Sequence, residues 1–216
     1  MTSSFLHFCA QHPFLLLPCS VFAMLLILYL GKRRYPKASK LALLLPVWGI
    51  INLVYGAGWN AEYVYKHGVR GEGVIIRVEP TNSWINEVQV FNYHCLIKTK
   101  SGKTIETYFE NSGDAFYPAT DLWMPPQIGE PFSIKYVDGD EDNFIILTND
   151  QASAYSNKIN CTQLLQEITS AQAAYNFDKK NAGNKRAFKQ LIEKFLKEPC
   201  DTNLQRAYRM QLEQLR

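Results

Sequence analysis

No acidic residue precedes Glu62, and among the first 65 residues every basic one lies in the ten-residue stretch GKRRYPKASK, residues 31–40, as Lys32, Arg33, Arg34, Lys37 and Lys40. The amino-terminal flank MTSSFLHFCAQH has no Lys or Arg at all. The flank argues against a cleaved secretory signal, whose basic residues come before the apolar run and not after it. It also removes the amino-terminal region as a source of basic surface. The chain's formal charge of +3 belongs to the one short loop, since the rest carries 18 basic against 20 acidic groups. Nucleic-acid binding needs a basic face spread over a folded surface, so it is not expected. Catalytic patterns are absent too. The sequence holds no CxxC, HExxH, phosphate loop or nucleophile elbow, and His7, His12, His67 and His94 lack metal-ligand spacing. No catalytic residue, metal or cofactor is expected on these grounds.

What the chain does have is two long uncharged runs. Residues 13–30, PFLLLPCSVFAMLLILYL, and 41–59, LALLLPVWGIINLVYGAGW, each match the roughly 20 residues that cross a hydrocarbon core of about 30 Å. Residues 13–59 therefore read as a transmembrane hairpin around the loop 31–40. Gly49 and Gly56, seven residues apart, share a helical face, and Asn52 lies between them; small residues and an interhelical hydrogen bond suit close helix packing or pairing with a second copy. Lys and Arg near helix ends are retained on the cytoplasmic side. The loop then faces the cytoplasm of a bacterial inner membrane. Residues 1–12 form a short extracytoplasmic amino terminus, and everything after residue 59 folds in the periplasm.

Between residues 60 and 150 the pattern becomes strand-like. GEGVIIRVEP, EVQVFNYHCLIKTK, KTIETYFEN, PFSIKYVDG and NFIILTN alternate apolar with polar residues or carry β-branched and aromatic runs, bounded by Gly, Pro, Asn and Asp. In the second run Phe91, Tyr93, Cys95 and Ile97 share one face and Asn92, His94 and Lys98 the other. A small antiparallel five-stranded β-barrel or sandwich, similar to an OB-like roll, is the expected result. Two apolar helices followed by a Gly-x-Gly-Val opening (Gly71, Gly73, Val74), a tyrosine-bearing strand (Tyr93), a Ser-Gly turn (Gly102) and a Gly-to-Tyr strand (Gly129, Tyr136) resemble a widespread bacterial family of membrane proteins with a small β-domain and no assigned function. The resemblance covers residues 71–147 and implies no catalytic residues. The tail beyond it departs from the family's short form.

Residues 151–216 return to helical spacing, with stripes at Leu164, Leu165, Ile168, Ala171 and Tyr175, at Phe188, Leu191, Ile192, Phe195 and Leu196, and at Leu204, Tyr208, Leu212 and Leu215. Asn160, Asn184 and Asp201 are the expected caps of a three-helix tail, and Pro199 closes the second helix. Such stripes need mutual burial and contact with the β-domain. Residues 59–150 hold 7 basic and 14 acidic groups and residues 151–216 hold 11 and 6, which favours that contact. In an antiparallel pair of helices the midpoint of Cys161 and Cys200 falls in the connecting loop DKKNAGNK, so the sulfurs should meet as a disulfide. An oxidising compartment would keep it.

The fold class is thus membrane-anchored α+β. Asp138, Asp140 and Asp142 open like a calcium loop, but Asn143 replaces the glycine and Asn149 the closing Glu, so a solvated turn is the preferred reading. Glu106, Glu110, Asp114 and Asp121 are carboxylates with nothing to fix their separation. The candidates for binding a partner are Phe116, Tyr117, Trp123 and Met124 in the loop DAFYPATDLWMPP and Trp84 in TNSW, since aromatics concentrate at interface anchors. The loop's other use is to cap the β-domain. The expected function is a non-enzymatic binding module that contacts the lipid bilayer and an envelope protein, as toxin immunity, conjugation exclusion or an accessory subunit. The rivals are a cytoplasm-facing ligand sensor coupled to helix association and an envelope hydrolase.

Overall fold

The computed structural model describes residues 2–34, 40–85, 87–110, 115–119 and 124–215. The fold is α+β. Helices α1 (Thr2–Gln11), α2 (Pro13–Arg34) and α3 (Leu44–His67, preceded by the 3-10 turn Lys40–Leu43) come first. Strands β1 (Val69–Ile85), β2 (Val88–Lys98), β3 (Thr104–Glu110), β4 (Phe116–Tyr117), β5 (Pro131–Val137) and β6 (Asp140–Leu147) follow, and α4 (Ala154–Phe177), α5 (Ala182–Phe195) and α6 (Thr202–Gln214) close the chain. The residues group into two compact units, one of residues up to 70 with 135–145 and one of 71–134 with the chain from 146 onward.

In the first unit, residues 13–31 and 40–67 are helices long and apolar enough to cross a bilayer. Lys32, Arg33 and Arg34 end helix α2. Lys40 opens the 3-10 turn, and Lys37 lies outside the described residues. Gly49, Asn52 and Gly56 are all buried on α3. A Cβ at Gly49 would sit 2.7 Å from Ser20 Oγ, so glycine is what lets α2 come this close. Asn52 donates from Nδ2 to the Cys9 carbonyl of α1 at 3.0 Å. One turn away Phe5 stacks on Trp48 with centroids 6.2 Å apart. Both contacts carry the same sequence offset, so α1 runs parallel to α3 along its first half. Where α3 ends, Asn60 and Asn143 exchange amide hydrogen bonds at 2.8 and 3.3 Å, and Lys135 donates to the Tyr65 carbonyl with its ammonium 4.7 Å from the Tyr65 ring centre. Asn143, at the position a calcium loop gives to glycine, is 1% exposed and occupied by that pairing. Residues 138 and 139 are a tight turn with Gly139 at φ 82°, and Asp140 and Asp142 belong to β6.

The strands pair in the order β3-β2-β1-β5-β6-β4. This corrects the five-stranded antiparallel barrel or sandwich: the sheet has six strands, is mixed, and curls into an open half-barrel. Phe116 and Tyr117 form the additional strand, parallel to Ile146 and Leu147 of β6. Pro118 follows directly, and without an N–H it cannot prolong the ladder, so β4 stays too short to close the sheet onto β3. In the second unit the core of the sheet includes Ile75, Cys95, Ile97, Phe132 and Ile134, each 2% exposed or less. A Cβ on Gly73 would lie 2.5 Å from Phe132 Cε2, and Phe132 has no room to move. Gly73→Val is therefore expected to cost about 1–3 kcal/mol of stability, read as a lower denaturation midpoint.

Helix α4 starts at Ala154, capped by Ser153, seven residues before the expected cap Asn160. Its first two turns dock on the sheet: Tyr155 and Ser156 are buried, Ser156 Oγ donates to the Leu147 carbonyl at 2.7 Å, and Tyr155 Oη donates to the Met124 carbonyl at 2.9 Å. The Asn181 side chain, not Asn184, caps α5, and Asp201 caps α6. The three stripes meet in a cluster of Leu164, Ile168, Phe188, Ile192, Phe195 and Leu215, with Tyr175, Tyr208 and Leu212 packed around it. Leu204, assigned to the third stripe by spacing, is 41% exposed.

Candidate interaction site

The β1–β2 hairpin is the longest element of the sheet. β3 covers β2 only over residues 92–98, whereas β1 and β2 stay paired out to Ile85 and Val88. The hairpin thus runs beyond its β3 neighbour as an arm. Pairing is irregular between Pro80 and Trp84. Thr81 holds that irregularity: its Oγ1 donates to the Val90 carbonyl at 2.9 Å and accepts from Ser83 N at 3.1 Å, while Gln89 Nε2 donates to the Thr81 carbonyl at 3.2 Å. A bulge of this kind re-aims the side chains beyond it. At the end of the arm Trp84 is 64% exposed, Ile85 53% and Val88 61%. Glu87, in the turn between them, has φ 66°, a left-handed backbone that a non-glycine residue adopts at a cost of about 1–2 kcal/mol. From Val78 to Ile97 the chain carries Glu79 and Glu87 and no Lys or Arg. The tip is an apolar cluster with one carboxylate beside it, Glu87, since Glu79 is paired with Arg77.

The other candidates lie elsewhere. Phe116 is 5% exposed and packs edge-on against Phe109 at 5.8 Å between centroids, which makes it core. Tyr117 and Met124 are half-buried, and the Met124 carbonyl is taken by Tyr155. Trp123 lies outside the described residues. Burial, reinforced by the Glu130 carboxylate, pushes the Tyr155 phenol above its ordinary range, so it remains a hydrogen-bond donor to Met124. Spacing singled out Trp84 but missed Ile85 and Val88. The available signal was three large apolar residues within five positions flanking a turn, where a buried strand would alternate.

His94 joins Arg77, Glu79 and Glu106 on the same two strands and β3. Arg77 Nη2 lies 3.3 Å from His94 Nδ1, and His94 Nε2 lies 3.2 Å from Glu79 Oε2. A guanidinium only donates, so Nδ1 accepts and the imidazole proton sits on Nε2, directed at Glu79. Arg77 Nε closes the triangle on Glu79 Oε1 at 3.3 Å, and Glu106 stands 3.9 Å from Nδ1. Arg77, Glu79 and Glu106 are about half-exposed on an open sheet face, where such pairs contribute about 0–1 kcal/mol each. The arrangement ties adjacent strands. Glu110 sits opposite Asn92 at the end of β3, and Asp114 and Asp121 lie outside the described residues.

Cys161 and Cys200 are bonded, with their Cα atoms 5.7 Å apart. The bridge ties the first half of α4 to the segment after α5. Among the described residues no group of three or more His, Cys, Asp or Glu is placed to hold a metal ion. Compared with protein-family models, curated proteins and solved structures, the chain shows no significant match.

Proposed function

We propose that the chain is a membrane-anchored, non-enzymatic binding protein of the bacterial envelope that captures a protein partner with the tip of the β1–β2 arm. The observation that carries this reading is the joint exposure of Trp84, Ile85 and Val88 on a strand pair whose bulge is fixed by Thr81. Apolar residues clustered at one point of a soluble surface mark interaction sites, and Trp is among the strongest anchors. The Glu87 carboxylate in the tip turn disfavours an anionic lipid surface and favours a socket that offers a basic group. Toxin immunity, conjugation exclusion and service as an accessory subunit are the versions of such a role that the reading includes.

The anchor is the α2–α3 hairpin. Ser20 opposite Gly49 sets residue 13 level with residue 56 and residue 29 level with residue 40, so both apolar runs occupy one layer. The basic cluster at the loop end of α2 supports a cytoplasmic loop and a periplasmic carboxy-terminal region. Helix α1, 10 residues and about 15 Å long, reaches half of a hydrocarbon layer of about 30 Å. Running parallel to α3, it lies within that layer and meets α2 at His12 on the side away from the loop, tolerated there because it packs against protein.

The test is a photo-activatable residue at Ile85, compared with one at Phe177. Phe177 is 95% exposed on the helical tail and stands outside the arm. Cross-links to one membrane-fraction protein from position 85 and not from 177 are expected. Trp84→Ala should weaken that capture by about 30-fold, the effect of losing roughly 2 kcal/mol at an anchor, and leave thermal stability within error. Equal cross-linking from both positions would sink the reading, as would a collapse of stability in Trp84→Ala.

A further inference from the structure

We infer that the groove along α4 binds a neutral oligosaccharide. The groove, about 610 Å³, has one wall from α4, an opposite wall from Pro118, Ala119 and Asn149 after β4 and β6, and Leu191 of α5 at its side. It continues into a smaller hollow of about 210 Å³ that shares Asn160, Gln163 and Glu167 with it. The combined space is within the range of about 300–1,000 Å³ typical of ligand sites.

The chemistry of the walls selects the ligand. Asn160, Gln163, Gln166 and Ser170 follow one another at three- or four-residue steps, so they line one flank of the helix. Asn149 faces them. None of these five side chains forms a hydrogen bond within the described residues, and each carboxamide offers two donors and an acceptor oxygen. Groups that donate and accept at the same point match sugar hydroxyls, which do the same. The larger groove has no Lys or Arg in its lining and one carboxylate, Glu167, and the hollow adds Lys194 together with Glu198, so the combined lining holds no excess cation to compensate a phosphate or a sugar acid. Pro118, Ala119, Ile159 and Leu191 supply scattered apolar contact for the C–H faces of pyranose rings and no deep socket for a side chain.

An extended peptide is the other neutral ligand rich in donors and acceptors. It would add to the sheet at β4, but that strand is two residues long and is followed by Pro118, which has no N–H to offer the next strand. The wall therefore lacks the ladder a peptide needs.

The experiment is calorimetric titration of the full chain in detergent with chitotetraose, cellotetraose and maltotetraose, and with a glycine-rich tetrapeptide as the competing ligand. At least one tetrasaccharide should bind and the peptide should not. Gln163→Ala, at an exposed position, should weaken that binding about tenfold, the loss of one well-made hydrogen bond, with the unfolding temperature unchanged. Trp84→Ala should leave it intact, which separates this site from the arm. Absence of heat with all three sugars, preference for the peptide, or undiminished binding in Gln163→Ala would each overturn the assignment.

Discussion

Replacing Cys161 and Cys200 together with Ser is expected to lower stability by about 3–4 kcal/mol, and the unfolding temperature by an amount on the order of 10 °C. The bond closes a loop with a sequence separation of 39. Cross-linking that loop removes chain entropy from the unfolded state, and the gain grows with the logarithm of loop length. The bridge joins two segments that already pack, since Cys200 lies against the cluster of Leu164, Ile168 and Phe195. The loss should thus appear as reduced stability of an unchanged fold. Thermal unfolding in detergent, followed by circular dichroism with and without reductant, measures it: the parent should fall to the level of the double Ser variant on reduction, and the variant should not respond. The same pair reports on orientation. In intact cells, thiol trapping should find both sulfurs blocked, as in an oxidising compartment. Both thiols free in a folded chain would place the carboxy-terminal region in the cytoplasm and reverse the proposed anchor.

Some of the structure could be read directly from residue spacing. The apolar stripes of the tail recur at helical intervals, and they meet in one cluster; the midpoint of two cysteines falls in a helical turn, and the sulfurs bond. These features depend on local periodicity, which sequence carries. The features that escaped depend on contacts distant in sequence. Phe116 and Tyr117 looked like loop because a two-residue strand has no period; only Ile146 and Leu147, 30 positions later, make them one. Helix α4 starts early because Tyr155 and Ser156 find the Met124 and Leu147 carbonyls, partners that no cap motif announces. The amino-terminal flank, read as a short tail, forms a helix held by Asn52 and Trp48. At the arm, the bulge at Thr81 leaves Trp84 outside the sheet's alternation, so the residue was visible as a candidate while its neighbours Ile85 and Val88 were not.

Phe195→Ala is expected to cost about 3–5 kcal/mol, the other large effect. Phe195 is fully buried in the cluster formed by all three tail helices and meets Tyr208 of α6 edge-on with centroids 5.4 Å apart. Removing the ring forfeits its transfer free energy and opens a cavity whose walls cannot collapse easily. On one side Ile168 and Ile192 are themselves fully enclosed, and on the other the Cys161–Cys200 bond restrains α4 against the end of α5. Restraint of the walls raises the cost of a cavity, because relaxation is what normally reduces it. The prediction therefore has a second part. In the Cys161→Ser, Cys200→Ser background the same Phe195→Ala change should cost less, since α5 can then settle inward, and the two losses should not add. Chemical denaturation of the four chains gives the coupling. A Phe195→Ala loss below about 1 kcal/mol in the parent would mean that the tail is not one cooperative core, and simple addition of the two losses would mean that the disulfide does not hold the cavity open.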